Sequence, residues 1–170
     1  MEYSQIIEEL WHLSQDGRRD PTGPFLVIGE RVEGDVHFLS KCGYSVYAFS
    51  KLSNGLDKLY DNKNSNLTLL DECPITVEKG CVTGFLGVFD KEVLCCLDEG
   101  DRVSYIKACK ERLAKGGLLW SLVPVDDPPM ETSFGIEALM EALGQDFSLL
   151  AAETRTSEDN AFLLSIWRLL

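Results

Sequence analysis

The stretch PFLVIGERVEGDVHFLSKCGYSVYAFSK, from Pro24 to Lys51, decides the fold of this chain. Its continuous apolar run from Phe25 to Ile28 predicts a strand buried on both faces of a parallel sheet, and Gly29 begins a turn. Apolar residues recur at helical spacing from Gly34 to Ser40, and β-branched and aromatic residues from Ser45 to Phe49 predict a second strand. The stretch is therefore a βαβ unit.

Ligands of such units usually bind beyond the carboxyl ends of the strands. We therefore expect a functional site at the turn from Gly29 to Gly34 and at Ser50, which follows the second strand.

The rest of the chain continues the alternation of helices and strands. An amphipathic helix is predicted within residues 1–17, ahead of a core over residues 25–170. Further strands are predicted at Leu67 to Leu70, Val82 to Phe89, Leu118 to Val123, Phe147 to Glu153 and Ala161 to Leu169, and further helices at Ser53 to Asn62, Asp101 to Leu113 and Phe134 to Leu143.

This order predicts one α/β domain over residues 1–170, with three layers and a doubly wound, mostly parallel, seven-stranded sheet. The last two strands are close enough in sequence to form a C-terminal antiparallel hairpin, which places a reversed strand at the end of the sheet. The polar loop from Pro124 to Thr132 is either a lid or an ordinary surface connection.

Charge and cysteine usage narrow the class of protein. The formal net charge is −12 and basic residues do not cluster, which argues against a nucleic acid partner. Six cysteines without a C-x-x-C pair, no leader pattern and no long apolar run predict a reduced, cytoplasmic protein with no membrane partner.

Two further patterns are candidates for chemistry. The neighbouring Cys95 and Cys96 suit either a redox element or, as we prefer, two small buried residues on a helix. His12 and His37 lack nearby carboxylate or cysteine partners in the sequence, so we interpret both as structural and predict no metal site.

Three segments resemble the thiopurine S-methyltransferase family, a branch of the class I S-adenosylmethionine-dependent methyltransferases. Leu26 to Val46 aligns without gaps with the family pattern L-V-P-G-C-G-x-G-Y-D-V-x-F-L-A-x-x-G-Y-x-V. Phe85 to Arg102 aligns with F-D-x-I-Y-D-R-G-A-L-x-A-L-x-x-x-D-R, and Leu113 to Leu122 aligns with the more widely shared L-x-P-G-G-x-L-L-L-V. The resemblance implies a class I methyltransferase-like fold.

The resemblance also implies roles for individual residues. Asp90 would lie beside the methyl-acceptor site, and Lys91 would orient an anionic substrate; the alternative is that both belong to a solvated, charged strand tip. The cofactor, S-adenosylmethionine, would lie against the turn and the strand tips, at Gly29, Glu30, Arg31, Ser50 and Asp71. Asp71 is equally a candidate turn residue.

The departures from the family pattern include Leu86, where the pattern has an acidic residue, and four positions near the predicted site. Arg31 and Glu33 replace two glycines of the cofactor turn, and we expect their side chains to occupy cofactor space. Ser50 replaces the acidic residue that binds the ribose hydroxyls, and Glu92 replaces the glycine of the family's Asp-Arg-Gly tip.

Two hypotheses follow. The first is a methyltransferase that acts on a small thiol-like or anionic molecule. The second is a pseudoenzyme that keeps the fold, fills the cofactor pocket with its own side chains and binds a protein partner.

Overall fold

The computed structural model describes residues 23–50, 66–73, 75, 82–125, 134–156 and 161–170. The predictions for the N-terminal helix, the helix at residues 53–62, the turn at 157–160 and most of the loop at 124–132 lie outside the described residues.

The described residues form seven strands, three α-helices and one short 3-10 helix. In chain order they are β1 (Pro24–Gly29), α1 (Glu33–Lys41), β2 (Ser45–Phe49), β3 (Leu67–Leu69), β4 (Phe85–Lys91), the 3-10 helix (Leu94–Cys96), α2 (Glu99–Arg112), β5 (Leu113–Val125), α3 (Ile136–Leu143), β6 (Phe147–Thr156) and β7 (Ala161–Leu169).

The strands form one sheet in the order β3-β2-β1-β4-β5-β7-β6. The strands from β3 to β5 pair in parallel, and β7 is antiparallel to both of its neighbours. The predicted doubly wound α/β fold with an antiparallel C-terminal pair is confirmed. The reversed strand, however, is not at the end of the sheet, because β7 pairs with β5 as well as with β6.

The core lies on both faces of the sheet. Phe25, Val27 and Phe89 pack toward the cluster that contains α1 residues, while Leu26 and Ile28 pack into the cluster that contains α2 and α3 residues. The alternation along β1 explains why its whole apolar run is buried, as predicted. Each such side chain contributes about 1.5–3 kcal/mol through burial.

The bounds of β4 and β5 differ most from those predicted. β4 begins at Phe85 and continues through Asp90 and Lys91, instead of stopping at Phe89. β5 begins at Leu113, five residues earlier than predicted, and so includes Gly116 and Gly117. The reason is a register shift in the β4–β5 pairing, where Gly116 adopts a φ of 73°.

Candidate functional site

A groove of about 1340 Å³ opens at the carboxyl ends of β1, β2 and β4 and runs along α2 as far as Arg112. This is where ligands of doubly wound sheets bind, and where the sequence predicted a site. The described residues that line it are Ile28, Gly29, Glu30, Phe49, Asp71, Glu72, Cys73, Ile75, Lys91, Glu92, Val93, Cys96, Leu97, Asp101, Ser104, Tyr105, Lys107, Ala108, Glu111 and Arg112.

Gly29, at the end of β1, has to be glycine. Its φ is 143°, and a Cβ atom added to it would lie 2.3 Å from the carbonyl oxygen of Lys91 on the neighbouring strand. The turn that follows β1 is therefore packed directly against the end of β4. Gly29 and Glu30, both predicted to bind the cofactor, line the groove at this point.

Arg31 and Glu33 do not line the groove in the described part of the chain. Arg31 is exposed, and Glu33 is the first residue of α1. Their positions differ from the expectation that both side chains would occupy cofactor space. Arg31 has a φ of 53°, so its backbone keeps a left-handed conformation that favours glycine.

Lys91 is buried at the end of β4, with 2% of its surface exposed. Its Nζ donates hydrogen bonds to Oδ2 of Asp35 at 2.9 Å and to the carbonyl oxygen of Arg31 at 2.6 Å. The ammonium thus forms an ion pair with α1 and a hydrogen bond with the turn after β1. This geometry argues against the predicted role of Lys91 in orienting an anionic substrate, and the alternative of a solvated strand tip is wrong.

Asp35 is the buried anion of this pair, with 1% of its surface exposed. Burial raises its pKa from 3.8 to about 6, against the opposing effect of the charge and hydrogen bond of Lys91; the nearby Glu33 raises it further. Because both ions are desolvated, the contribution of the pair to stability depends on its geometry. The removal of either partner would leave a buried charge without compensation.

Asp90 is fully buried on the opposite face of β4. Its carboxylate accepts a hydrogen bond from the Tyr105 hydroxyl at 2.5 Å and another from the backbone N–H of Leu94 at 3.2–3.3 Å. Burial raises the pKa of Asp90 to about 6, although these hydrogen bonds oppose the shift. Within the described residues Asp90 does not line the groove, whereas its hydrogen-bond partner Tyr105 does. A position of Asp90 beside a methyl acceptor stays a prediction.

The turn after β4 is fixed by side chains from α2. Arg102 donates hydrogen bonds to the carbonyl oxygens of Leu94 and Leu97, and its guanidinium lies 4.1 Å from the centre of the Phe134 ring. Glu92, within the same turn, has a φ of 65°. Like Arg31, it keeps a glycine-like backbone at a position where the family pattern has glycine.

Cys95 and Cys96 lie on the 3-10 helix, and the preferred interpretation of two buried residues was wrong. Cys96 is exposed and lines the groove, and Cys95 is half-buried with its Sγ 4.0 Å from that of Cys96. A three-residue 3-10 helix has one inward position, and Leu94 occupies it. Burial raises the pKa of the Cys95 thiol to about 12.

Ser50 and Asp71, the remaining predicted cofactor residues, follow β2 and β3 at the same edge of the sheet. Asp71 is exposed and lines the groove together with Glu72. Ser50 is half-buried and is not among the described lining residues.

Sequence reasoning missed two partners, Asp35 for Lys91 and Tyr105 for Asp90. The first pair is separated by 56 residues along the chain and the second by 15, on different elements. No local pattern marks such a contact. A buried strand that ends in charged residues was the available signal that partners were needed.

The described residues lack two features. They contain no group of three or more His, Cys, Asp or Glu side chains placed to hold a metal ion. They also contain no helix that is both long enough and apolar enough to cross a membrane. His37 lies half-buried on α1, while His12 is outside the described residues.

No protein-family model matches the sequence, and no curated protein matches it. Solved structures do match. The chain is similar to the 1,6-didemethyltoxoflavin N1-methyltransferase of Burkholderia thailandensis, solved with 1,6-didemethyltoxoflavin and S-adenosylhomocysteine, with a TM-score of 0.76 and 16% identity over 98% of this chain and 76% of that chain.

It is also similar to the N-methyltransferase NodS of Bradyrhizobium japonicum WM9 in complex with S-adenosylhomocysteine (TM-score 0.70, 16% identity, 97% of this chain and 86% of that chain). The magnesium protoporphyrin IX methyltransferase of Synechocystis PCC 6803, solved with bound SAM, gives a TM-score of 0.74 at 12% identity, over 99% of this chain and 80% of that chain. At these identities the similarity is one of fold. The chain therefore has the class I methyltransferase-like fold.

Proposed function

We propose that this protein is an S-adenosylmethionine-dependent methyltransferase that acts on a small molecule and is related to the thiopurine S-methyltransferases. One observation carries the proposal. An open groove lies at the carboxyl ends of β1, β2 and β4, and the side chains of Arg31 and Glu33 are not among the described residues that line it. The turn keeps the left-handed backbone at residue 31 that a glycine would adopt.

The charge of the groove supports the same cofactor. Among the described residues, six carboxylates and three basic side chains line it, and one of the three, Lys91, is paired with Asp35. S-adenosylmethionine carries a positive sulfonium, which an excess of nearby carboxylates stabilises. S-adenosylhomocysteine lacks that charge.

The lining also provides surfaces for the two halves of the cofactor. Phe49 and Leu97 contribute apolar surface for the adenine ring. Asp71 and Glu72, after β3, would accept hydrogen bonds from the ribose hydroxyls or the adenine amino group. Gly29 and Glu30 would contact the methionine portion.

The acceptor is then a neutral or cationic small molecule, for which a thiol is one candidate. The predicted anionic acceptor fits less well, because the groove is acidic and the ammonium of Lys91 is committed to Asp35. The bound cofactor supplies the electrophilic methyl group. The protein's part is to hold donor and acceptor in line and to exclude water.

Titration calorimetry with S-adenosylmethionine tests the proposal. We expect one site per chain, binding weakened at least about tenfold in D71K/E72K, and tighter binding of S-adenosylmethionine than of S-adenosylhomocysteine. The matched control is E137K/E141K, which makes the same charge changes on α3, away from the groove. Absence of binding, or equal weakening by the control, would contradict the proposal.

The second candidate function is that of a pseudoenzyme with a protein partner. The observation that favours it is the edge strand β6, where Leu149 and Leu150 are 37% and 42% exposed beside a register irregularity. Unpaired edge strands with exposed apolar residues are prone to pair with another chain. Light scattering on the wild type and on L150E distinguishes the functions: an assembly that L150E dissociates, without cofactor binding, supports the pseudoenzyme.

A further inference from the structure

Lys91 joins three parts of the molecule at the rim of the groove. It is the last residue of β4, its Nζ bonds Oδ2 of Asp35 on α1 at 2.9 Å, and the same Nζ bonds the carbonyl oxygen of Arg31 at 2.6 Å. The Lys91 main chain also lies directly behind Gly29, where no Cβ fits.

Arg31, whose carbonyl oxygen accepts a hydrogen bond from Lys91, has an unfavourable backbone conformation. Arg31 has a φ of 53°, and a residue with a Cβ atom disfavours this left-handed conformation. The Arg31 side chain is exposed, so the ammonium of Lys91 acts on the main chain of the turn. In the family pattern, by contrast, this position is a glycine, which adopts the conformation without strain.

We propose that Lys91 is a positioning residue: its ammonium, anchored by Asp35, holds the turn after β1 in the conformation that glycine allows elsewhere, and so keeps Gly29 and Glu30 at the groove. The expected effect of Lys91 on cofactor binding rests on the proposed function. The hold on the turn itself is independent of any ligand.

The chemistry of lysine suits this position. Its ammonium is a compact group with three donors, and it satisfies an anion on one element and a carbonyl on another from a single point. The planar fork of arginine would need more space at a residue that is 2% exposed. K91R therefore should not substitute fully, even though it keeps the charge.

A crossed set of variants tests the proposal. D35N/K91M removes both charges with little change in volume, so that no buried charge is left unpaired. In R31G the turn should no longer need the hydrogen bond from Lys91, because glycine adopts the left-handed conformation freely. The readouts are amide hydrogen exchange at residues 30–34 and the dissociation constant for S-adenosylmethionine.

We expect D35N/K91M to lose at least about tenfold in exchange protection at residues 30–34 and in affinity. R31G added to D35N/K91M should regain most of both losses, and its effect there should exceed its effect in the wild type severalfold. Equal effects of R31G in the two backgrounds would overturn the proposal, because the lysine and the strain at residue 31 would then be independent.

The control is D146N/K110M, which removes a surface ion pair of the same residue types. It should leave exchange at residues 30–34 within about twofold of the wild type. If the wild type binds no S-adenosylmethionine, the proposed function fails, yet the exchange readout still decides whether Lys91 holds the turn. If D35N/K91M does not fold, K91R and R31G/K91R provide the same crossed comparison.

Discussion

Two buried aspartates, Asp35 and Asp90, lie on opposite faces of the sheet around the end of β4, and each fixes one of the turns beside the groove. Asp35 faces a cation, the ammonium of Lys91. Asp90 faces neutral donors, the Tyr105 hydroxyl and the Leu94 N–H. Burial raises the pKa of both carboxyls to about 6.

The difference follows from the alternation of side chains along a strand. Asp90 and Lys91 are consecutive, so they point to opposite faces of β4 and meet different helices. On the α1 side a charge pair stabilises the turn after β1; on the α2 side a hydrogen-bonded carboxylate stabilises the turn after β4. Deleting the partner of Asp35 and deleting a partner of Asp90 should therefore lower the free energy of unfolding by different amounts.

The largest expected effect is on the α1 side. K91M should lower the free energy of unfolding by about 3–5 kcal/mol at pH 7, because it leaves the Asp35 carboxylate buried without its cation. Urea unfolding measures this loss. D35N/K91M should recover much of it, and the loss should shrink at pH 5, where Asp35 takes up a proton. A loss under about 1 kcal/mol would mean that the pair is solvated.

Asp90 should make stability depend on pH. Its pKa is about 6 in the folded protein and 3.8 as the ordinary value, so the folded state binds more protons between these pH values. Its contribution to stability is therefore full below pH 4 and falls by about 3 kcal/mol as the pH rises through 6. D90N should flatten this fall, but not abolish it, because Asp35 titrates in the same window.

The control for this pH dependence is D146N, which changes an exposed carboxylate of the Lys110 pair. Urea unfolding from pH 4 to pH 7.5 should give the wild-type slope for D146N and a smaller slope for D90N. Parallel slopes for all three proteins would contradict the buried, proton-binding state of Asp90.

Y105F should cost about 1.5–3 kcal/mol of stability, because it deletes the neutral donor that bonds the buried Asp90 carboxylate. Y47F is the comparison, since it deletes the hydroxyl of a half-buried tyrosine whose ring packs edge-on against Phe85. Thermal unfolding should show a larger decrease for Y105F. A larger decrease for Y47F would show that the Tyr105 hydroxyl does not stabilise the buried Asp90 carboxylate.

The smallest expected effect concerns the strained backbone after β4. E92G should raise stability by up to about 1 kcal/mol, because Glu92 has a φ of 65° that glycine adopts without strain. E141G makes the same substitution inside α3 and should lower stability by about 1 kcal/mol. Thermal unfolding distinguishes these outcomes. Changes of the same sign would show that residue 92 is not strained.

The sequence was a good guide to the fold because the fold depends on local patterns. The apolar run of β1 and the helical spacing of α1 are properties of short stretches, and the structure has both elements within one or two residues of prediction. The site depends instead on contacts distant in sequence. Nothing near Lys91 indicates that Asp35 would neutralise it, and nothing near Arg31 indicates that its side chain would be exposed.

Under the proposed function, the turn after β1 keeps a backbone that binds S-adenosylmethionine, although Arg31 and Glu33 stand where the family pattern has glycines. Nuclear magnetic resonance titration of the ¹⁵N-labelled protein with S-adenosylmethionine tests this claim most directly. We expect saturable shifts of the amide signals of Gly29 and Glu30 and of the residues that follow β2, β3 and β4. Unchanged spectra, or shifts confined to other parts of the molecule, would contradict it.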